Sequence, residues 1–357
     1  MGEQITLLPG DGIGPEIMGS AVALLDEIGD FEYREGLIGG HAMDEHDGNP
    51  FPKETEELVR DSKIVLLGAV GGPKWASTDP EALRPEDGLL ELRETMGTHS
   101  NVRPVFSIGN LPDLSPFRPE HARGVNFTIV RELLGGSYYG ESGRDGDTAF
   151  DTRRYNPQQF EVVGRTAFEL ARARAAESGR IPRVTNVDKA NVLRTSRLQR
   201  EVVTALHEAE YQDVDLEYLL VDNAAFQLGM RPGHFNVVLT ENEHGDILSD
   251  EMALFTGSLG LLPSASLDGN GRGIFEPVHG SAPDIAGKGE ANPTAMFLSV
   301  AMMLESLGER QAAESIHWAV DGIFKRRVLT PDLGGNATTA DVTNVVIRGA
   351  HSYAGRQ

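Results

Sequence analysis

Asp246 and Asp250 stand four residues apart in the run Gly245-Asp246-Ile247-Leu248-Ser249-Asp250. On a helix, that spacing puts both carboxylates on one face, about 5–6 Å apart. Two bare carboxylates at such a distance repel each other, and a cation between them removes the repulsion. Oxygen-only donors favour a hard ion, Mg²⁺ or Mn²⁺. A solvated helix face shows the same spacing, so the pair alone leaves both readings open.

Three arginines sit in tight contexts: Arg93 in Glu91-Leu92-Arg93, Arg103 in Asn101-Val102-Arg103-Pro104, and Arg131 in Val130-Arg131-Glu132. A guanidinium fork matches a carboxylate bidentately, so three forks suit a small dicarboxylate. Each could equally make a surface ion pair. Arg131 resists that reading because it ends the apolar run Val125–Val130, which should be buried.

Lys189 follows the apolar strand Val184–Val187 in Asp188-Lys189-Ala190-Asn191, where it can act as a base or form a structural salt bridge. Asp222 follows Leu216–Val221 in the same way. Ligand sites of α/β folds gather at such carboxyl ends of strands.

A fourth constellation is the loop His279-Gly280-Ser281-Ala282-Pro283-Asp284, continuing to Asn292-Pro293 before a helix. Loop amides at a helix N-terminus can hold phosphates. Asp284 could accept from ribose hydroxyls and would repel a 2′-phosphate, so NAD is expected over NADP. An ordinary surface loop is the plainer alternative.

Elements must hold these groups in place. Gln4–Pro9 and Ile64–Val70 read as buried strands, apolar and bounded by glycine and proline. A helix runs from Pro15, the favoured first helical residue, to about Ile28. Further strands are expected at Phe127–Val130, Val184–Val187, Leu216–Val221 and Asn236–Leu239. Further helices are expected at Gln158–Glu177, Leu198–Glu210 and Thr294–Leu307. Strands alternating with helices define an α/β class. The polar, glycine-rich stretch Arg144–Asp151 reads as an exposed hairpin or arm.

Gly10-Asp11-Gly12-Ile13-Gly14-Pro15 lies between a strand and a helix, but G-x-G-x-G-P is not the dinucleotide fingerprint G-x-G-x-x-G. Gly71-Gly72-Pro73-Lys74-Trp75 lacks the P-loop frame as well. Asn126-Phe127-Thr128 is a chance glycosylation sequon inside a strand.

The chain has 357 residues, enough for two domains, and 39% hydrophobic residues, enough for a sizeable core. No apolar run reaches membrane-spanning length, and Met1–Thr6 lacks the pattern of a signal peptide. Cysteine is absent, which excludes disulfides and fits a cytoplasmic location. A net charge of −22 argues against nucleic acid and anionic membranes as partners. The basic residues are 6 Lys and 26 Arg. A halophilic host favours such an acidic, lysine-poor chain, while high genomic GC content would also favour Arg over Lys.

Five motifs run in order along the chain: Leu7–Glu16, Gly71–Trp75, Val130–Leu133, Gly245–Asp250 and Glu276–Asp284. Together they closely resemble the β-decarboxylating dehydrogenases of isocitrate and isopropylmalate, over roughly residues 4–350. The resemblance implies a mixed αβα sheet that is not a Rossmann fold. It implies one NAD-binding domain of residues 1–98 and 253–357. A second domain, 99–252, would carry the dimer interface, the metal and substrate residues and an arm at about 137–156. It also implies a homodimer, or a pair of dimers, with shared active sites.

Before Arg93 the isocitrate branch carries Ser and Asn, where this chain has Asp87 and Leu89. Leu89 and Leu90 would form an apolar wall for an isopropyl group, worth about 1.5–3 kcal/mol when buried. The implied reaction is oxidative decarboxylation of 3-isopropylmalate to 4-methyl-2-oxopentanoate and CO₂, in leucine biosynthesis. Homoisocitrate, isocitrate and tartrate are the family's alternative substrates.

By the same resemblance, Asp222 joins Asp246 and Asp250 as a metal ligand, and Lys189 and Asp222 reach into a partner's site. Lys189 is the base, Tyr138 the final proton donor, and Arg93, Arg103 and Arg131 the carboxylate clamps. NAD would meet Glu86, the loop Gly72, Pro73, Lys74 and Trp75, and Glu276. Its adenosine half would meet His279, Gly280, Ser281, Ala282, Pro283, Asp284 and Asn292. His244, the segment Thr95–Ser100 and the arm Gly140–Thr148 depart from the family pattern.

Overall fold

The computed structural model describes residues 3–79, 82–109 and 111–354, so Met1 and Gly2 of the N-terminal stretch lie outside the described residues. The chain forms two compact units, Met1–Gly97 with Gly257–Gln357, and Thr98–Thr256. The strands are β1 (Glu3–Gly10), β2 (Phe31–Glu35), β3 (Ile64–Ala69), β4 (Ser100–Phe106), β5 (Asn126–Glu132), β6 (Ser142–Asp145), β7 (Thr148–Asp151), β8 (Arg183–Asp188), β9 (Asp215–Leu220), β10 (Val237–Thr240), β11 (Pro263–Leu267) and β12 (Gly273–Pro277).

In the first unit the strands lie in the order β2-β1-β3-β12-β11. All neighbours are parallel except β11 and β12, so the sheet is mixed. Every residue of β3 is buried, as expected for a central strand covered on both faces. Leu8, Val65, Leu67 and Ile274 pack with Leu92 and Met96 of the helix Pro85–Met96. The helix Thr294–Leu307 is buried on nearly every side, which explains its apolar sequence all round. The carboxyl ends of β1, β3 and β12 carry Asp11, the Gly71–Trp75 loop and the Glu276–His279 segment.

In the second unit the order is β4-β5-β10-β8-β9, with only β4 antiparallel to its neighbour. Alternate residues of the same strand serve opposite faces. Phe127, Ile129 and Val238 pack with Leu248 and Met252 of the helix Asn242–Met252. Val130, Val237 and Leu239 pack instead with Phe160, Val163 and Phe168 of the helix Pro157–Ser178. β6 and β7 form the exposed hairpin expected from the polar stretch, closed by a two-residue turn at Gly146 and Asp147.

The expected elements appear, with corrections at their ends: Val70 lies just beyond β3, Asn236 just before β10, and the helix expected from Leu198 starts at Arg194. Val221, read as the last strand residue, begins the helix Val221–Met230. The apolar run is longer than the strand because Ala224 and Leu228 of that helix also enter the core.

Candidate active site

Four adjacent parallel strands, β5, β10, β8 and β9, end on one side of the second unit. Arg131, Asn242, Lys189 and Asp222 stand at or just beyond those ends. The register pairs Thr240 with both Arg131 and Val187, so the chemistry-bearing residues leave the sheet at one level.

Arg131 is 2% exposed. A cation buried this deeply requires partners. Its Nε and Nη2 donate to Asn242 Oδ1 at 2.9 and 2.6 Å, and its Nη1 bonds to Asp246 Oδ1. Arg103, 8% exposed, donates from Nε to Asn101 at 2.8 Å and from Nη1 to Ser249 at 2.8 Å. The same guanidinium spans both aspartates, with Asp250 Oδ1 at 3.0 Å and Asp246 Oδ1 at 3.4 Å. The cation expected between the two carboxylates is therefore present, as an arginine.

Asp246 and Asp250 do share one face of a helix, and that face is half-buried at Asp246. Burial pushes the Asp250 carboxyl above its ordinary range, with Arg103 opposing and Asp246 adding to the rise. The donor set, two carboxylates beside hydroxyl and amide oxygens, suits a hard divalent ion. Among the described residues, no three His, Cys, Asp or Glu side chains gather as a metal site.

Tyr138 donates from its hydroxyl to Asp246 Oδ2 at 3.2 Å, and the Arg131 guanidinium lies 5.8 Å from its ring centre. Burial and the Asp246 charge raise its phenol, so it keeps its proton and remains a donor. Lys189 ion-pairs with Asp222. That hydrogen bond holds the Asp222 carboxyl below its ordinary range. The backbone around Lys189 is locked on both sides. Its N–H donates to Ser196 at 3.0 Å, and fully buried Asp188 accepts from Arg200, Asn186 and the Ala190 N–H.

In the first unit, Arg93 is 7% exposed and donates to Glu276 at 3.1 Å. Glu276, expected at the cofactor, thus also serves as the partner of an arginine expected at the substrate. Glu86, Leu89, Leu90 and Arg93 recur at helical spacing on Pro85–Met96. Leu89 is half-buried against the Leu8–Leu67 core, and Leu90 is half-buried as well. Asp87, at the branch-discriminating position, accepts from the Arg84 N–H at 2.7 Å and closes a capping box. Its carboxylate is used to start the helix.

A cleft of about 580 Å³ opens beside the His279 loop. His279, Gly280, Ala282 and Asn292 line it among the expected residues, joined by Ile13, Leu259, Ile285 and Asp332. That volume falls in the range of small-molecule sites. His279 Nε2 is buried without a hydrogen-bond partner, a donor or acceptor left for a ligand. Burial also lowers the His279 pKa, so the ring is neutral. Asp284 is exposed, while Ser281 is buried and uses its carbonyl on the Ile13 N–H at 2.8 Å. Gly72–Trp75 is a separate loop beside Glu86, whose carboxylate fills the place a side chain at Gly71 would occupy.

Sequence reasoning missed Asn242, Ser249 and Asn101 as arginine partners, and Asp332 in the cleft. Asp332 accepts from Ser258, Asn292 and Thr330 at 2.8, 3.1 and 2.5 Å. Asn242 had a usable signal, a buried amide at the first turn after a strand. Ser249 and Asn101 had none beyond proximity in sequence to Asp250 and Arg103.

The model of the family described as isocitrate/isopropylmalate dehydrogenase matches residues 4–346. The chain belongs to that family. It is 49% identical over 345 residues to the 3-isopropylmalate dehydrogenase of Bacillus subtilis strain 168, covering 93% of this chain and 92% of that one. Identity to the 3-isopropylmalate dehydrogenase of Geobacillus kaustophilus is 48%, with 96% and 93% covered. A crystal structure of isocitrate dehydrogenase from Methylococcus capsulatus superposes with a TM-score of 0.84 at 34% identity, covering 98% and 99%. Membership of the isocitrate/isopropylmalate dehydrogenases accounts for a mixed α/β fold that lacks the dinucleotide fingerprint at Gly10–Pro15.

Proposed function

We propose that this chain catalyses the NAD-dependent oxidative decarboxylation of 3-isopropylmalate to 4-methyl-2-oxopentanoate and CO₂, a cytoplasmic step of leucine biosynthesis. The observation that carries this reading is the Asp246/Asp250 face, half-buried at Asp246, charge-balanced by Arg103 and Arg131 and touched by Tyr138. The identity to named 3-isopropylmalate dehydrogenases supports the choice of substrate.

Asp246, Asp250 and Asp222 of a second copy would hold Mg²⁺ or Mn²⁺, which when bound acidifies the substrate hydroxyl and stabilises negative charge on the oxygen at C2. Lys189 is placed to take the proton of that hydroxyl, and NAD, when bound, would supply the hydride acceptor. Arg93, Arg103 and Arg131 grip the carboxylates. After CO₂ departs, the protonated Tyr138 returns a proton to C3. Leu89 and Leu90 face the isopropyl group, where a third carboxylate would lose its hydration without gaining a partner. The His279–Asn292 cleft would hold the adenosine half of NAD, and Glu86 with the Gly72–Trp75 loop would hold its nicotinamide ribose.

A homodimer follows from the same reading. Phe226, Met230, Ile247 and Leu254 are large apolar side chains left 62%, 54%, 62% and 45% exposed on the segments that carry Asp222 and Asp246. The β6–β7 hairpin is exposed along its length, and an isolated two-stranded hairpin is marginal without a covering partner. A second copy would cover both.

The test is NADH formation from 3-isopropylmalate with and without chelator. The reading requires turnover that EDTA abolishes and Mg²⁺ or Mn²⁺ restores. Turnover indifferent to chelation would remove the metal role from Asp246 and Asp250.

A further inference from the structure

The Gly10–Pro15 turn has no role in the chemistry above, yet its aspartate is one of the most heavily used carboxylates in the first unit. Asp11 is 3% exposed. Its Oδ2 accepts the backbone N–H of Gly40 at 2.9 Å and of Gly71 at 2.8 Å, and its Oδ1 accepts that of His41 at 2.7 Å. Gly40 and His41 lie in the first turn of the helix Gly39–Glu45, so a carboxylate distant in sequence caps that helix. Gly71 begins the Gly71–Trp75 loop.

The far end of the same short helix grips the far end of the same loop. Asp44 accepts from Lys74 Nζ at 2.5 Å and from Trp75 Nε1 at 3.1 Å. The Trp75 ring lies on Gly40, where even a methyl group would come within 2.3 Å of ring carbons. Two residues beyond Asp11, the Ile13 N–H holds the Ser281 carbonyl at 2.8 Å. A side chain at Gly12 would strike that carbonyl at 2.0 Å.

We propose that Asp11 is a positioning residue for the cofactor: with the helix Gly39–Glu45 as a splint, it fixes the Gly71–Trp75 loop, while the rest of its turn fixes the His279–Asp284 loop. The inference rests on the NAD reading given above. Its chemical basis is charge and geometry. A carboxylate accepts at both oxygens, whereas an amide in its place turns an N–H toward at least one backbone N–H in either orientation. A buried donor left without an acceptor is costly, so the splint loosens.

The experiment uses the full-length chain carrying Trp318→Phe, which leaves Trp75 as the only tryptophan of the two. Asp11→Asn and Gly40→Ala are compared with this parent by acrylamide quenching of Trp75, by NAD titration calorimetry and by the KM for 3-isopropylmalate. Gly40→Ala suits helix propensity and drives its methyl group into the Trp75 ring, so it tests the splint even if Asp11→Asn fails to fold. Both variants should quench more readily without NAD and bind NAD about tenfold more weakly, with the KM for 3-isopropylmalate changed by less than about twofold. Unchanged quenching in both variants, or NAD affinity equal to the parent's in a folded variant, overturns the proposal. If the parent binds no NAD, the cofactor reading falls, and the quenching comparison still decides whether Asp11 and its splint hold the loop.

Discussion

Lys189 and Tyr138 are given separable proton transfers, one before and one after carbon dioxide leaves. Removing a positioned base or acid typically slows the step it serves by about 10²–10⁴-fold. Lys189→Met should therefore lose oxidation of 3-isopropylmalate by that order while still decarboxylating the supplied 2-keto acid intermediate. Stopped-flow NADH formation checks this, and hydride transfer at the parent rate would remove Lys189 as the base. Tyr138→Phe should form NADH but stall at decarboxylation and protonation. Its phenol is raised by burial and by Asp246, so the group lost is a proton donor. Single-turnover analysis that finds product formed as fast as NADH, at the parent rate, would contradict the assignment.

Elements decide which of these residues were legible in the sequence. Arg131 could be read as buried because it ends an apolar strand, and it is. Lys189 and Asp222 could be placed at strand ends by the same logic. The Asp246–Asp250 pair was readable as one helix face because a spacing of four has that consequence alone. Contacts across long sequence separations were not readable. Nothing in the sequence shows that Arg103 bridges the two aspartates, that Arg93 rests on Glu276, or that Asp11 caps a helix some thirty residues on. Asp87 is instructive in another way: the resemblance set it at a position that separates the family's branches, and its spacing from Arg84 gives it a capping role instead.

The His279 loop carries a prediction at this scale. Burial lowers the His279 pKa in the folded chain below the unfolded value of about 6.5. Below that pH the unfolded state binds the proton more readily than the folded one. Stability should thus fall as pH drops from about 6.5 toward the folded pKa. Urea unfolding at stepped pH checks it, and His279→Asn should flatten part of that fall. An acid limb identical in the variant would mean that His279 does not contribute.

At the scale of the whole molecule, charge dominates. Asp and Glu number 54 against 32 Lys and Arg, a net charge of −22. Self-repulsion of this size opposes folding. The opposing term, surface ion pairs such as Arg165–Glu210 and Arg172–Asp213, contributes little because both partners stand in solvent, and it is also screened by salt. Repulsion should win. Raising KCl from about 0.1 M to about 1 M, which shortens the screening length from about 10 Å to about 3 Å, should raise Tm. A Tm that falls steadily over that range would show that ion pairing outweighs repulsion, and would end the halophilic reading.

Assembly belongs to the same scale. Ile247→Glu places a charge among exposed apolar side chains and should shift the chain toward monomer in sedimentation velocity, with activity lost in parallel. A fully active monomer would contradict a metal site completed by Asp222 of a second copy.

The central claim is the substrate. Initial rates of NADH formation with Mg²⁺ and saturating NAD, on 3-isopropylmalate, isocitrate, homoisocitrate and tartrate, test it most directly. The apolar Leu89–Leu90 wall predicts that kcat/KM for 3-isopropylmalate exceeds each of the others by at least about 10²-fold, as for an apolar group set against a polar or charged one. A preference for any of the other three acids would contradict the account.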